Sequence, residues 1–184
     1  MLTTGYTERV LNEFKKFVVQ QSRSRLTKGS SKYGSKNNSK KLYNSIKGEA
    51  KVNKNSLSLA FFMEDYGYYQ DRGVHGKTSS YTELGRYKTL ARFGSGKGKK
   101  GGLGESILEW VKSKRFQFTD KKKRLLSYKS TAFLISRSIY NKGLKPSLFF
   151  TKPFEQGFKK LPDELLEAYG LDVEEFLQFT LNKK

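Results

Sequence analysis

The pattern of apolar and polar positions predicts an amphipathic helix at the start of the chain. Between residues 7 and 21 the apolar side chains recur at intervals of one, three and four residues, which is the spacing of one face of an α-helix. The residues of this face are Val10, Leu11, Phe14, Phe17 and Val18. Thr7 and Glu8 suit the first turn of such a helix, because a hydroxyl or carboxylate there interacts with unpaired backbone N–H groups.

Two short runs with a period of two residues predict a β-hairpin. From Ile46 to Val52 apolar or small residues alternate with charged ones, and from Leu57 to Phe61 apolar residues alternate with small ones. This alternation is typical of strands with one buried face. Residues 53–55, Asn-Lys-Asn, are turn-forming. We therefore predict two antiparallel strands, preceded by a short helical turn at residues 39–45.

Helical spacing returns in the second half of the chain. Ile107, Trp110 and Val111 predict a helix of about three turns. A longer helix is predicted over residues 127–142, with Gly143 at the position that commonly follows a helix C-terminus. The apolar positions of this longer helix are Ala132, Phe133, Leu134, Ile135 and Ile139. Because its apolar face is broad, we expect it to pack centrally.

The last part of the chain predicts two further helices. The sequence Leu-Pro-Asp-Glu at residues 161–164 places a proline and acidic residues in a first helical turn, where both are favoured. Gly170 is expected to end this helix. Asp172 is expected to cap a final one that runs through Leu181.

Together these elements predict an α+β fold. We expect an N-terminal helix, an antiparallel β-hairpin or sheet packed against the long central helix, and extra C-terminal helices. The length of 184 residues fits one domain of ordinary size. We therefore predict a single domain over residues 1–160 and a helical C-terminal appendix over residues 161–184. Residues 23–41 and 77–102 combine Lys and Arg with Gly, Ser, Asn and Thr, and are predicted to be flexible basic loops.

The net charge of the chain predicts a polyanionic partner. The chain has 37 Lys and Arg against 17 Asp and Glu, a net charge of +20, and such an excess commonly accompanies binding of nucleic acid or of an acidic protein face. The absence of cysteine excludes disulfides and thiolate chemistry, and a single histidine does not favour a histidine-built metal site. No run of about 20 apolar residues predicts a membrane span.

The basic residues concentrate in one stretch. Residues 86–124 contain 13 Lys or Arg against Glu105, Glu109 and Asp120, which favours this stretch for facing DNA. The candidate DNA-facing residues are Arg92, Lys97, Lys99, Lys100, Lys121, Lys122, Lys123 and Arg124. A solvated, flexible surface without direct DNA contact remains an alternative for the basic runs.

The sequence offers little support for catalysis. Gly76, Lys77 and Thr78 resemble the end of a phosphate-binding loop, but the glycine required five residues earlier is Asp71, so the backbone cradle for phosphates is not predicted. Glu64, Asp65 and Asp71 could hold a divalent ion of a nuclease, although carboxylates near a turn are more often structural. We predict no catalytic residue, cofactor or metal ligand, and a protein that is not an enzyme.

Three stretches resemble, in order, the neck and tail-completion proteins of long-tailed bacteriophages. Residues 41–46 (KLYNSI) are similar to the family's entry into its sheet, and residues 66–74 (YGYYQDRGV) to its aromatic, acidic and glycine segment. Residues 132–139 (AFLISRSI), with the glycine at 143, the proline at 146 and the phenylalanines at 149 and 150, resemble its long helix and closing segment. The resemblance covers residues 41–158, with residues 77–102 as a variable insertion.

This resemblance implies a virion structural protein that is made in the host cytoplasm. The family forms homo-oligomeric rings, commonly sixfold, that join the connector or adaptor to the tail-tube proteins around packaged double-stranded DNA, without a membrane partner. The candidate interface residues are Tyr66, Tyr68, Tyr69 and Gly73. A protein that binds nucleic acid without sequence preference is the alternative, motivated by charge alone, and a nuclease is the third possibility.

Overall fold

The computed structural model describes residues 5–28, 40–53, 56–78, 91–93 and 102–182. Within these ranges the chain forms seven helices and two antiparallel two-stranded sheets, β1–β2 and β3–β4, which confirms the predicted α+β class. The elements are α1 (Gly5–Lys28), α2 (Lys41–Ser45), β1 (Lys47–Asn53), β2 (Ser56–Phe62), α3 (Tyr66–Arg72), β3 (Val74–His75), α4 (Gly102–Ser113), α5 (Tyr128–Lys142), β4 (Gly143–Leu144), α6 (Thr151–Phe158) and α7 (Leu161–Leu181).

The chain divides into two compact units. Unit 1 comprises Met1–Gly67 and Leu148–Lys184, and unit 2 comprises Tyr68–Ser147. Unit 1 is thus built from both ends of the chain, and the single domain predicted over residues 1–160 stays a prediction. No helix among the described residues has the length and apolar character needed to cross a bilayer.

The predicted N-terminal helix and hairpin pack against each other in unit 1. Leu11, Phe14 and Val18 on α1 are buried, and the side of β1 that carries Ala50 and Val52 packs against them. The inner and outer positions of β1 alternate as expected. The helix that covers the hairpin is thus α1. The helix at residues 127–142, which the sequence analysis placed against the hairpin, belongs to unit 2.

An aromatic cluster closes the core between α1, the hairpin and α6. The rings of Phe14 and Phe61 lie 6.3 Å apart edge to face, and Phe154 lies 5.7 Å from Phe14 and 6.0 Å from Phe61 in the same arrangement. Edge-to-face pairs at this spacing add stability beyond their buried area. Three elements distant in sequence are therefore joined by a few large side chains.

Helix α1 extends further than predicted. Residues 23–28, expected to begin a flexible basic loop, continue the helix, and Leu26 packs in a second cluster with Leu42, Ile46 and Phe149. The Arg23 guanidinium donates a hydrogen bond to the Ile46 carbonyl (2.9 Å). Burial of Leu26 against residues far along the chain outweighs the polar composition around it. Residues 29–39 of the predicted loop lie outside the described part of the chain.

Helix α7 corrects two predictions at the C-terminus. It is one continuous helix of 21 residues, and Gly170 lies inside it. A glycine inside a helix costs only about 1 kcal/mol, and Ala168 and Asp172 on either side of it are both buried. Helix α7 packs along α1 as part of unit 1, so residues 161–182 do not form the expected appendix.

In unit 2, the predicted bounds of the helix at residues 127–142 are confirmed. The Ser127 side chain caps the N-terminus of α5 by accepting a hydrogen bond from the Ser130 N–H (3.1 Å), and Gly143 follows its C-terminus with a φ of 85°. Val111 of α4 and Ala132 of α5 are buried where these helices pack. Another face of α5 lies at the surface, where Phe133 is 63% exposed.

A short sheet in unit 2 depends on Gly143. Val74 and His75 of β3 pair with β4, and a side chain at Gly143 would place its Cβ 2.1 Å from the Val74 carbonyl oxygen. The His75 N–H also donates to the Ala91 carbonyl (2.8 Å). Part of the predicted loop at residues 77–102 is therefore structured. Residues 79–90 and 94–101 lie outside the described ranges.

Candidate nucleic-acid interface

Residues 112–129 carry a dense run of exposed Lys and Arg and are called the basic segment below. They connect α4 to α5 and contain eight Lys or Arg against one acidic residue, Asp120. All eight basic residues are exposed. They are Lys112, Lys114, Arg115, Lys121, Lys122, Lys123, Arg124 and Lys129.

The predicted candidates Lys121, Lys122, Lys123 and Arg124 lie together at the tip of a tight hairpin turn. Thr119 and Leu125 form an isolated antiparallel bridge below the tip. At the tip, the Lys123 N–H donates to the Asp120 carbonyl (3.0 Å) and the Asp120 N–H to the Arg124 carbonyl (2.9 Å). Lys123 has a φ of 59°, in the left-handed region that completes hairpin loops of this length.

Asp120 organises the turn from inside. Its carboxylate accepts hydrogen bonds from the backbone N–H groups of Lys122 (2.8 Å) and Arg124 (2.9 Å), and from the Arg124 side chain (3.1 Å). The hydrogen bond from the Arg124 backbone lowers the pKa of Asp120 below its ordinary value, with the other two acting in the same direction and burial opposing them. The turn is therefore held by the one negative charge among its cations.

The C-terminus of α4 adds a second ordered group of cations. The Phe116 N–H donates to the Val111 carbonyl (3.0 Å) and the Arg115 N–H to the Lys112 carbonyl (3.1 Å), which is the paired pattern of a Schellman motif. Arg115 occupies its left-handed position with a φ of 49°, where glycine is usual. Arg115 therefore places a cationic side chain at a position where glycine, which has no side chain, is usual.

Between these two groups the basic segment is attached to α5. The Phe118 N–H donates to the hydroxyl of buried Thr131 (3.2 Å), and the Gln117 side chain donates to the Leu126 carbonyl (2.7 Å). Phe116 lies 5.2 Å from Phe118 and 6.3 Å from Trp110, ring centre to ring centre. These interactions fix the backbone that carries the charges.

Phosphate groups are the ligand that such a surface suits. Exposed Lys and Arg bind the phosphate backbone of nucleic acids and release condensed counterions, and a backbone already held in place gives up little conformational entropy on binding. Interactions of this kind position a duplex but carry no sequence information.

The other predicted DNA-facing residues are not part of the basic segment. Arg92 is exposed and pairs with His75 through an isolated bridge, and its guanidinium lies 3.4 Å from the Lys77 carbonyl. Lys97, Lys99 and Lys100 lie outside the described residues. The sequence did not predict the individual roles of Lys112, Lys114, Arg115 and Lys129, although the first three fall within the basic stretch at residues 86–124.

Three of the four predicted interface residues are surface side chains. Tyr66, Tyr68 and Tyr69 are exposed, and the rings of Tyr68 and Tyr69 lie 5.7 Å apart. Burial and the nearby Glu64 carboxylate raise the pKa of Tyr66. The prediction for Gly73 is wrong, because Gly73 is buried with a φ of 80° and a Cβ there would lie 2.5 Å from the Leu144 carbonyl oxygen. It serves the backbone and offers no surface.

The geometry does not support a phosphate-binding loop at residues 76–78. The backbone N–H groups of Lys77 and Thr78 donate to the carbonyls of Tyr140 (3.0 Å) and Asn141 (3.1 Å) on α5, whereas a phosphate loop would direct them at its ligand. No group of three or more His, Asp or Glu side chains suited to a metal occurs within the described ranges.

Comparison of the chain with family models, with curated proteins and with solved structures found no match.

Proposed function

We propose that this protein is a non-enzymatic structural subunit that contacts double-stranded DNA through its phosphates, and that the basic segment makes this contact. We further propose that the subunit forms part of the ring that joins head to tail in a tailed bacteriophage. The first proposal is carried by the ordered, exposed cations of residues 112–129. The second is supported by the sequence resemblance over residues 41–158.

The geometry favours binding to the DNA backbone over base reading. Four of the cations lie on consecutive positions, 121–124, of one tight turn, which presents charges on a short projection. A duplex carries one phosphate for every ~1.7 Å of axis, so a cluster of this kind finds partners in any sequence. DNA that passes through or rests against a structural assembly needs binding of this sequence-independent kind.

The decisive experiment compares two triple variants of the full-length protein. In the first, Lys121→Ala, Lys122→Ala and Arg124→Ala remove three cations of the basic segment. In the second, Lys16→Ala, Lys47→Ala and Lys152→Ala remove three exposed cations of unit 1, so that the net charge changes equally. Binding to labelled duplexes of two unrelated sequences is measured over a salt series.

We expect the first triple variant to bind both duplexes at least tenfold more weakly at low salt. The slope of log affinity against log salt should fall by about one for each phosphate that the variant no longer binds. The unit 1 variant should remain close to wild type. Equal weakening in the two variants would mean that net charge alone attracts DNA, and would overturn the assignment to the basic segment.

A free nucleic-acid-binding protein is the second candidate, and one observation favours it: the basic segment is complete within a single chain. This candidate predicts tight, salt-sensitive binding by the monomer and a protein confined to the soluble pool of an infected cell. The ring subunit predicts weak binding by the monomer and a few to a dozen copies in purified virions. Mass spectrometry of virions and of the soluble pool separates the two.

A further inference from the structure

Helix α7 has two apolar faces, and the described residues cover one of them. Its inner face packs on α1 and includes buried Leu161, Ala168 and Asp172. Its outer face carries Leu166, Tyr169, Val173 and Leu177 at successive intervals of three, four and four residues. Leu166 is 73% exposed, and Tyr169 and Leu177 are each more than half exposed. Such a stripe is typical of a helix that packs on two sides.

The outer stripe of α7 is bordered by negative charge. Asp163, Glu167 and Glu174 are exposed on α7 and lie on one side of the stripe, as the helical repeat of 3.6 residues requires. In all, α7 contains six acidic residues and no Lys or Arg, in a chain whose net charge is +20. This surface is suited to a partner that is apolar and basic.

Helix α5 in unit 2 presents a surface of that chemistry. Lys129, Phe133, Arg137 and Tyr140 follow one another at intervals of four, four and three residues, with Leu134 beside them. Phe133 is 63% and Leu134 43% exposed, and both Lys129 and Arg137 are exposed. Apolar side chains flanked by cations therefore form a stripe on α5, as apolar side chains flanked by carboxylates do on α7.

The two stripes also match in length. Each runs over eleven helical steps, from residue 166 to 177 on α7 and from 129 to 140 on α5, which corresponds to about 16 Å at the rise of an α-helix. We propose that α7 of one copy of this protein docks against α5 of a second copy. Apolar side chains would then fill the centre of the interface, with opposite charges at its edge.

Such an interface joins unlike surfaces, so each copy keeps one free α7 and one free α5. Interfaces of this kind propagate from copy to copy and close into a ring when the rotation permits. The contact between α7 and α5 would be the subunit interface of the ring proposed above, and to that extent it rests on the proposed function. Its test is independent, because it measures self-association in the absence of DNA.

The experiment is sedimentation velocity of the full chain over a concentration series. Three charge-reversal variants are compared with the wild type. The α7 variant carries Glu167→Lys and Glu174→Lys, and the α5 variant carries Lys129→Glu and Arg137→Glu. A control with Glu49→Lys and Glu109→Lys makes the same charge change as the α7 variant at exposed positions of β1 and α4.

We expect the wild type and the control to associate and the two other variants to weaken this association at least tenfold. An equimolar mixture of the α7 and α5 variants should regain association beyond the dimer. The reversed α7 of one variant then meets the reversed α5 of the other, and the unchanged α5 and α7 of the pair keep their opposite charges. A chain that carries both reversals should associate like the wild type, which also shows that the substitutions permit folding.

Two outcomes would overturn the proposal. A wild-type protein that stays monomeric at low salt and at its highest soluble concentration excludes the interface. An α5 variant that self-associates like the wild type shows that α7 pairs with something other than α5. The α7 variant leaves the basic segment intact. Measuring its binding to DNA therefore distinguishes a failure of the proposed interface from a failure of the proposed DNA binding.

Discussion

Unit 1 and unit 2 differ in the interactions that stabilise each of them internally. Of the twelve apolar side chains that are buried among the described residues, nine belong to unit 1 and three to unit 2. Unit 2 instead carries 19 of the 37 Lys and Arg, with only five of the 17 acidic residues. One unit is built around an aromatic core, and the other holds its charges on hydrogen-bonded turns and caps.

The contrast shows how one chain separates stability from surface function. In unit 1 the large buried rings make the contribution to folding that grows with apolar area. In unit 2 the basic segment is attached through a few hydrogen bonds, such as that from Phe118 to Thr131, so its exposed side chains are free to vary in charge. Substitutions should therefore act mainly on folding in unit 1 and mainly on binding in the basic segment.

The largest effect is expected for Phe149→Ala. Phe149 is 1% exposed in the second cluster of unit 1, and deletion of a buried Phe side chain costs about 3–5 kcal/mol. Urea unfolding followed by far-ultraviolet circular dichroism measures this change in the free energy of unfolding. The fluorescence of Trp110, the one tryptophan of the chain and a residue of α4, reports on unit 2.

The control for Phe149→Ala is Phe133→Ala on the exposed face of α5. Its free energy of unfolding should change by less than about 0.5 kcal/mol, as is usual at the surface. Similar destabilisation of both variants would remove the distinction between the two units.

A smaller effect is expected for Asp172→Asn, because Asp172 joins α7 to the start of α1. Its carboxylate accepts hydrogen bonds from the N–H groups of Tyr6 (3.0 Å) and Thr7 (3.0 Å) and from the Thr7 hydroxyl (2.6 Å). Burial raises the pKa of Asp172, but the three hydrogen bonds together lower it by more than burial raises it, so the net shift of the pKa is downward. Removing the charge should cost about 2 kcal/mol at neutral pH.

The same residue predicts a dependence on pH. Because the pKa of Asp172 is lower in the folded than in the unfolded protein, its contribution is present above the unfolded value of about 3.9 and is lost as pH falls through the folded value. Asp172→Asn should therefore flatten the acid side of the stability profile. Asp163→Asn, at an exposed position of α7, should leave that profile unchanged; an equal change in both variants would contradict the capping role.

The smallest effects on stability are expected at the tip of the basic segment, where two neighbouring substitutions should change stability in opposite directions. Lys123→Gly replaces a residue whose φ is 59° with the one that tolerates this conformation, so stability should rise by about 0.5–1 kcal/mol. Lys121→Gly, at a neighbouring position without positive φ, should lower stability by a similar amount. Both remove one cation and should weaken DNA binding alike. A decrease of stability in both would show that Lys123 is not strained.

Much of the fold could be predicted because its signals are local. The bounds of α5, from its Ser127 cap to Gly143, and the alternation along β1 follow from residues adjacent in sequence. The basic character of residues 121–124 was equally visible. That Asp120 would hold these cations in a defined turn was not predicted, since a run of Lys and Arg is compatible with either an ordered or a flexible backbone.

Local sequence is enough to specify which segments are helical or extended, which faces are apolar and where the charge accumulates, because these features depend on neighbouring residues. The segment that covers each face, in contrast, depends on contacts between distant parts of the chain. Leu26 continues α1 because Phe149 packs in the same cluster, and Asp172 caps the first turn of α1 at Thr7, 165 residues before it in the chain. Apolar periodicity shows that one face of a helix or strand must be covered, but the packing of distant segments determines which segment covers it.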